Sequence, residues 1–113
     1  MHLAARHRGF ALKATYRPRP KEQALELEWR IGRQDDGGYQ GYFAVDLELL
    51  EPPRPLEQEA AKQILELSGL ALLFESPRPF GLSVQGRRAR LVFATEIAPG
   101  KSRRHRLEIR VLS

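Results

Sequence analysis

Apolar and polar residues alternate along most of this chain, and the period of the alternation changes once. Leu25, Leu27, Trp29 and Ile31 alternate with Glu26, Glu28, Arg30 and Gly32. A period of two gives a strand one buried and one wet face. Asp35-Asp36-Gly37-Gly38 follows as a turn, and alternation resumes from Tyr39 to Leu50. There Phe43, Val45, Leu47 and Leu49 oppose Tyr42, Ala44, Asp46 and Glu48. Two such runs about a glycine turn predict a β-hairpin over residues 24–50. Upstream, Phe10, Leu12, Ala14 and Tyr16 predict a first strand, which Arg17-Pro18-Arg19-Pro20 should stop.

After Glu51-Pro52-Pro53-Arg54-Pro55 the spacing shifts. Leu56, Ala60, Ile64 and Leu67 lie on one stripe of a helix. Pro55 suits a first helical turn, Glu57 and Glu59 suit the positive end of a helix dipole, and Gly69 suits a left-handed cap. The pattern predicts one amphipathic helix over about residues 55–68. Ala71 and Phe74 extend the stripe, so the helix either runs on through Gly69 or gives way to a short strand over 71–75. Beyond Ser76-Pro77-Arg78-Pro79, residues 80–85 and 88–97 read as a hairpin turning at Gly86-Arg87. A last strand, 104–112, follows the turn at Pro99-Gly100.

The expected fold class is therefore α+β. It is a bent antiparallel sheet, or a small partly open barrel, of six to seven strands with one helix inserted midway, in a single domain over residues 1–113. The absence of a parallel crossover with a glycine-rich turn argues against a nucleotide-binding doubly wound fold.

Composition narrows the chemistry. No cysteine is present, which removes disulfides, thiolate nucleophiles and cysteine-ligated metals. The longest apolar run is residues 70–74, and the N-terminus has no apolar stretch of signal-peptide length, so a cytoplasmic chain with no membrane span is expected. Asparagine is absent and fifteen arginines stand against four lysines. That bias fits a thermostable protein and equally fits GC-rich coding DNA.

Charge adds the one suggestion of a ligand. Residues 1–20 carry +5, 21–50 carry −4, 51–76 carry −3 and 77–113 carry +7. Either the basic ends pair with the acidic middle across the sheet, or they gather into an anion-binding face. Arg87, Arg88 and Arg90, with Arg103, Arg104 and Arg106, would carry such a face, since arginine suits bidentate phosphate contact. Tyr42, on the polar side of its strand, could stack on a base, with Tyr16, Tyr39 and Phe80 as further aromatics.

Nothing nominates a reaction. Gly37-Gly38-Tyr39-Gln40-Gly41 lacks the Lys-Ser/Thr of a phosphate loop. His2, His7 and His105 lack metal-ligand spacing, although His7 and His105 would meet if the terminal strands paired. Asp35-Asp36 reads as turn chemistry. The sequence thus points to a non-enzymatic interaction module or homodimer without cofactor or metal. The alternative is a nucleic-acid or other polyanion-binding module using the arginine face.

Overall fold

The alternating runs do fold as strands, and so does the segment with helical spacing. The computed structural model describes the backbone of residues 2–7 and 9–112, and side chains from residue 9 to residue 112. Within these residues the strands are β1 (His2–His7), β2 (Phe10–Arg19), β3 (Ala24–Arg33), β4 (Tyr39–Glu48), β5 (Arg54–Gln58), β6 (Lys62–Leu67), β7 (Leu70–Glu75), β8 (Gly81–Gln85), β9 (Arg88–Ile97) and β10 (Ser102–Leu112). A seven-stranded sheet runs β1-β2-β3-β10-β7-β6-β5, and a three-stranded sheet runs β4-β9-β8. Every pairing is antiparallel.

Period-two burial explains why the sheets stack. On β3, Leu27, Trp29 and Ile31 are buried; on β9, Ala89, Leu91, Phe93 and Ile97; on β10, His105 and Leu107. Their neighbours Arg88, Arg90, Arg104 and Arg106 point outward and are exposed. Trp29 joins the layers, lying 6.1 Å from the Phe43 ring and 5.8 Å from the Phe93 ring. Burying side chains of this size stabilises the fold by about 1.5–3 kcal/mol each. The chain crosses between sheets four times, at residues 34–38, 49–53, 76–80 and 98–101, and the Gly100 N–H donates to the Asp36 carbonyl at 2.7 Å, tying the first and last crossings together.

Three expectations are corrected. The fold is not α+β: no amphipathic helix spans 55–68, and the only helical turn among the described residues is the 3-10 segment Pro20–Glu22. Residues 54–67 form the β5–β6 hairpin instead. The helical stripe left out Leu65, which is fully buried, and Gln63, whose Nε2 donates to the Phe80 carbonyl at 2.8 Å. Both lie on the inward side of a period-two strand. Ser68 and Gly69 then take φ of 52° and 76°, and Leu67 faces Leu70 across them. Two successive positive φ values make a tight hairpin turn whose twist suits the flanking strands. A helix cap needs the same left-handed glycine, so Gly69 fitted both readings.

Residues 24–50 are not a hairpin either. β3 pairs with β2 and β10, whereas β4 pairs with β9 in the other sheet. The last two strands likewise part, β9 to the short sheet and β10 to the long one. Finally, β2 runs on through Pro18 to Arg19. β1 covers it only as far as Thr15, so the proline lies where one side of the strand is open.

Candidate interaction margin

The six arginines do not converge. Arg88 and Arg90 stand on the outer face of the short sheet, with Arg87 in the adjoining turn, and Arg104 and Arg106 stand on the outer face of the long sheet, across the sandwich. Arg103 falls on the inward side of β10, opposite Ile31. Carboxylates of the acidic middle of the chain meet five of them. Arg90 makes a two-pronged contact with Asp46 at 2.7 and 3.0 Å, which holds the Asp46 carboxyl below its usual range. Arg87 and Arg88 flank Glu48 at 3.6 and 4.0 Å, while Arg104 and Arg106 flank Glu28 at 2.9 and 3.6 Å. The separation of charge along the sequence is thus met by basic β9 lying beside acidic β4, and basic β10 beside acidic β3.

The outer face of the long sheet carries the same logic further. Arg17, Glu26, Glu108, Glu75 and Lys62 form one row across five strands. Three neighbouring carboxylates repel. Arg19 at 2.7 Å from Glu26, Arg110 at 2.7 Å from Glu108 and Lys62 at 3.3 Å from Glu75 offset that repulsion. A shallow dish of about 530 Å³ overlies this row. Among the described residues no group of acidic or histidine side chains could hold a metal ion.

The remaining histidine is structural in its surroundings. His105 is buried between Phe43 and Phe93, with ring centroids 5.8 and 4.9 Å away. Thr95 Oγ1 lies 3.1 Å from the Phe93 carbonyl and 2.9 Å from His105 Nε2, so the ring is held by a buried hydrogen bond. Burial, aided by the nearby charge of Arg78, lowers the His105 pKa. The side chains of His2 and His7 lie outside the described residues, and with them the expected meeting of His7 and His105.

Tyr42 leads to a different kind of site. It is 73% exposed and sits on β4, an edge strand of the short sheet. The Leu49 N–H donates to the Arg87 carbonyl at 2.8 Å, continuing the register that opposes Glu48 to Arg88. Opposed residues in an antiparallel ladder alternate between exchanging both hydrogen bonds and exchanging none. Gly41, Phe43, Val45 and Leu47 therefore bond to β9, while Gln40, Tyr42, Ala44 and Asp46 turn N–H and C=O to the free side. The Tyr42 carbonyl fits this assignment, because it accepts a weak 3.4 Å hydrogen bond from the Tyr39 hydroxyl. Tyr39 folds back over Gly41, where any side chain would collide with its hydroxyl.

Beside this free margin lies an apolar cleft of about 380 Å³, lined by Phe10, Leu12, Ile31 and Thr95 together with Tyr39, Tyr42, Phe43 and Ala44 of β4. Phe10 meets the Tyr39 ring edge-on at 5.0 Å, and the Arg33 guanidinium, clamped by Asp35, lies over the Phe10 ring at 5.0 Å. Of the cleft residues, the sequence singled out Tyr42 and Tyr39, but for base stacking. The signal that was there is the seven-residue run Tyr39–Val45, which contains neither charge nor proline. The chain matches no protein-family model, and neither the curated proteins nor the solved structures contain a match to it.

Proposed function

We propose that this protein is a non-enzymatic interaction module that engages another polypeptide along the β4 margin. One observation carries the reading: the charge-free stretch Tyr39–Val45 of an edge strand, whose outer side pairs with no strand among the described residues, lies directly beside an apolar cleft. Soluble proteins usually blunt such edges with charge, proline or a bulge, because they invite pairing. An edge left bare next to an apolar surface fits a binding site. The arginine clusters give less support to a polyanion, since they stand on different faces and most already have carboxylate partners.

Amide chemical-shift mapping tests the reading. Peptides selected from a displayed random library should shift resonances of Tyr39–Val45, Phe10, Leu12 and Ile31. Single- and double-stranded oligonucleotides at about 50 mM salt should shift few amides. Saturable oligonucleotide binding through Arg87–Arg90 or Arg103–Arg106, with no peptide bound at β4, would replace this reading by the nucleic-acid one.

A further inference from the structure

We infer that the occupant of the β4 margin is an extended segment of a partner protein, added as a fourth strand to the short sheet, with apolar residues at alternate positions. The inference rests on the interaction reading above and says what binds and how. Three features lead to it.

The first is the backbone. Gln40, Tyr42 and Ala44 offer N–H and C=O groups in strand geometry, and only another extended chain can pair with them in series. A docked helix has its own backbone groups already bonded to one another and would leave the row unmatched.

The second is the cleft. An added strand lies about 4.8 Å from β4 and places every second side chain on the inner side of the sheet. Those side chains enter the space bounded by Phe10, Leu12, Ile31 and Phe43. The cleft is more than twice the roughly 150 Å³ that accommodates a benzene ring. Among the described residues its lining offers no charged group to compensate a charge buried there. The inward positions of the partner are therefore aliphatic or aromatic. Its outward positions run beside Tyr42 and Ala44, which face solvent, and carry no such demand.

The third is the roof. Trp29 of β3 packs on Phe43, and Phe10 of β2 packs on Tyr39, so β4 lies beneath β2 and β3. β1 continues the long sheet beyond β2, so a strand added beside β4 would run beneath this overhang. A lone strand fits under it. A second copy of this chain does not: pairing β4 with β4 in the antiparallel manner puts both long sheets on the same side. The two β1–β2 overhangs would then claim one space.

Two synthetic peptide pools of equal composition test the inference, one with apolar residues at every second position and one with them at helical spacing. The expected result is that the alternating pool binds and the helical pool does not. Binding should slow hydrogen exchange at the Tyr42 and Ala44 amides, and methylating alternate peptide nitrogens should weaken it by about tenfold. Ala44→Pro removes one free-side N–H and should weaken binding similarly. Should that variant fail to fold, the methylated peptides carry the test alone. Equal binding of the helical pool, or binding indifferent to methylation, overturns strand addition and leaves the interaction module standing. Sedimentation showing a dimer lost in Ala44→Pro also overturns it, in favour of a second copy. If neither pool binds, strand addition and the interaction reading fall together.

Discussion

Two edges of this protein treat the same hazard in opposite ways. β5, the last strand of the long sheet, is five residues long and carries Arg54, Pro55 and Glu57. Its register slips between Pro55 and Glu57, and Arg54 reaches back to Glu66 at 3.0 Å. Charge, proline and a bulge together make a poor template for another strand. β4 is ten residues long, regular throughout, and charged only at Asp46 and Glu48. Both edges belong to one chain, so the difference is not a general tolerance of open edges. The guarded edge shows what a margin looks like when nothing is meant to pair with it.

The comparison can be broken most forcefully at the core behind each edge. Leu65, on β6 and fully buried, anchors the guarded side, whereas Leu56 on β5 itself is 47% exposed. Leu65→Ala should cost about 2–5 kcal/mol in urea unfolding. Leu56→Ala should stay within about 0.5 kcal/mol. Equal losses would mean that β5 is a structural strand rather than a cover.

The next effect tests the hydrogen-bond assignment on which the open edge depends. Val45 directs its N–H into the β9 ladder and Ala44 directs its own away. Val45→Pro should therefore cost about 1–3 kcal/mol more than Ala44→Pro, from a broken ladder bond and a carbonyl left on β9. The reverse order in a chemical melt would shift the free groups to the odd-numbered residues and remove Tyr42 from the binding row.

A third effect distinguishes the edges by pH. His105 stacks on Phe43 behind the open edge, and its pKa lies below the ordinary 6.5 because burial disfavours the imidazolium. The unfolded chain thus takes up a proton that the folded chain resists. The stability from neutral His105 is complete above about pH 6.5 and is lost as pH falls below it. Urea midpoints should drop between pH 8 and pH 5, and His105→Gln should flatten that drop. Amide exchange should rise first at β4 rather than at β5.

These contrasts show what the sequence could disclose. Alternation on Leu25–Ile31 and on Phe43–Leu49 named the inward residues correctly, because a side chain's face depends only on its own strand. It could not name the neighbours. The turn at Asp35-Asp36-Gly37-Gly38 serves a hairpin or a crossing between sheets equally well, and only the packing of Trp29 against Phe43 and Phe93 decides for the crossing. Residues 55–67 misled for a related reason: Leu56, Ala60, Ile64 and Leu67 keep helical spacing, yet Leu56 and Ala60 are exposed and the strand pair buries Gln63 and Leu65 instead. The arginine clusters were legible as charge, yet faces on two sheets are set by topology. An open edge is a fact about which strand is missing, and no residue of β4 records it except through the absence of charge in Tyr39–Val45.

The smallest expected effect concerns how the open edge stays usable. Among the described contacts of the free side, Tyr39 supplies the partner of the Tyr42 carbonyl, through a hydroxyl at 3.4 Å that is held only loosely. That hydroxyl covers the edge as a temporary occupant: it satisfies one acceptor and must leave when a strand arrives. Tyr39→Phe keeps the ring on Phe10 and over Gly41 but deletes the cover. A long hydrogen bond at an exposed site is worth little, so stability should change by less than about 0.5 kcal/mol. Affinity for the alternating peptides should rise by a factor of about two, because one competing bond no longer has to break. A fall in affinity, measured by calorimetry on the intact chain, would mean that the hydroxyl bonds the incoming strand rather than standing in for it.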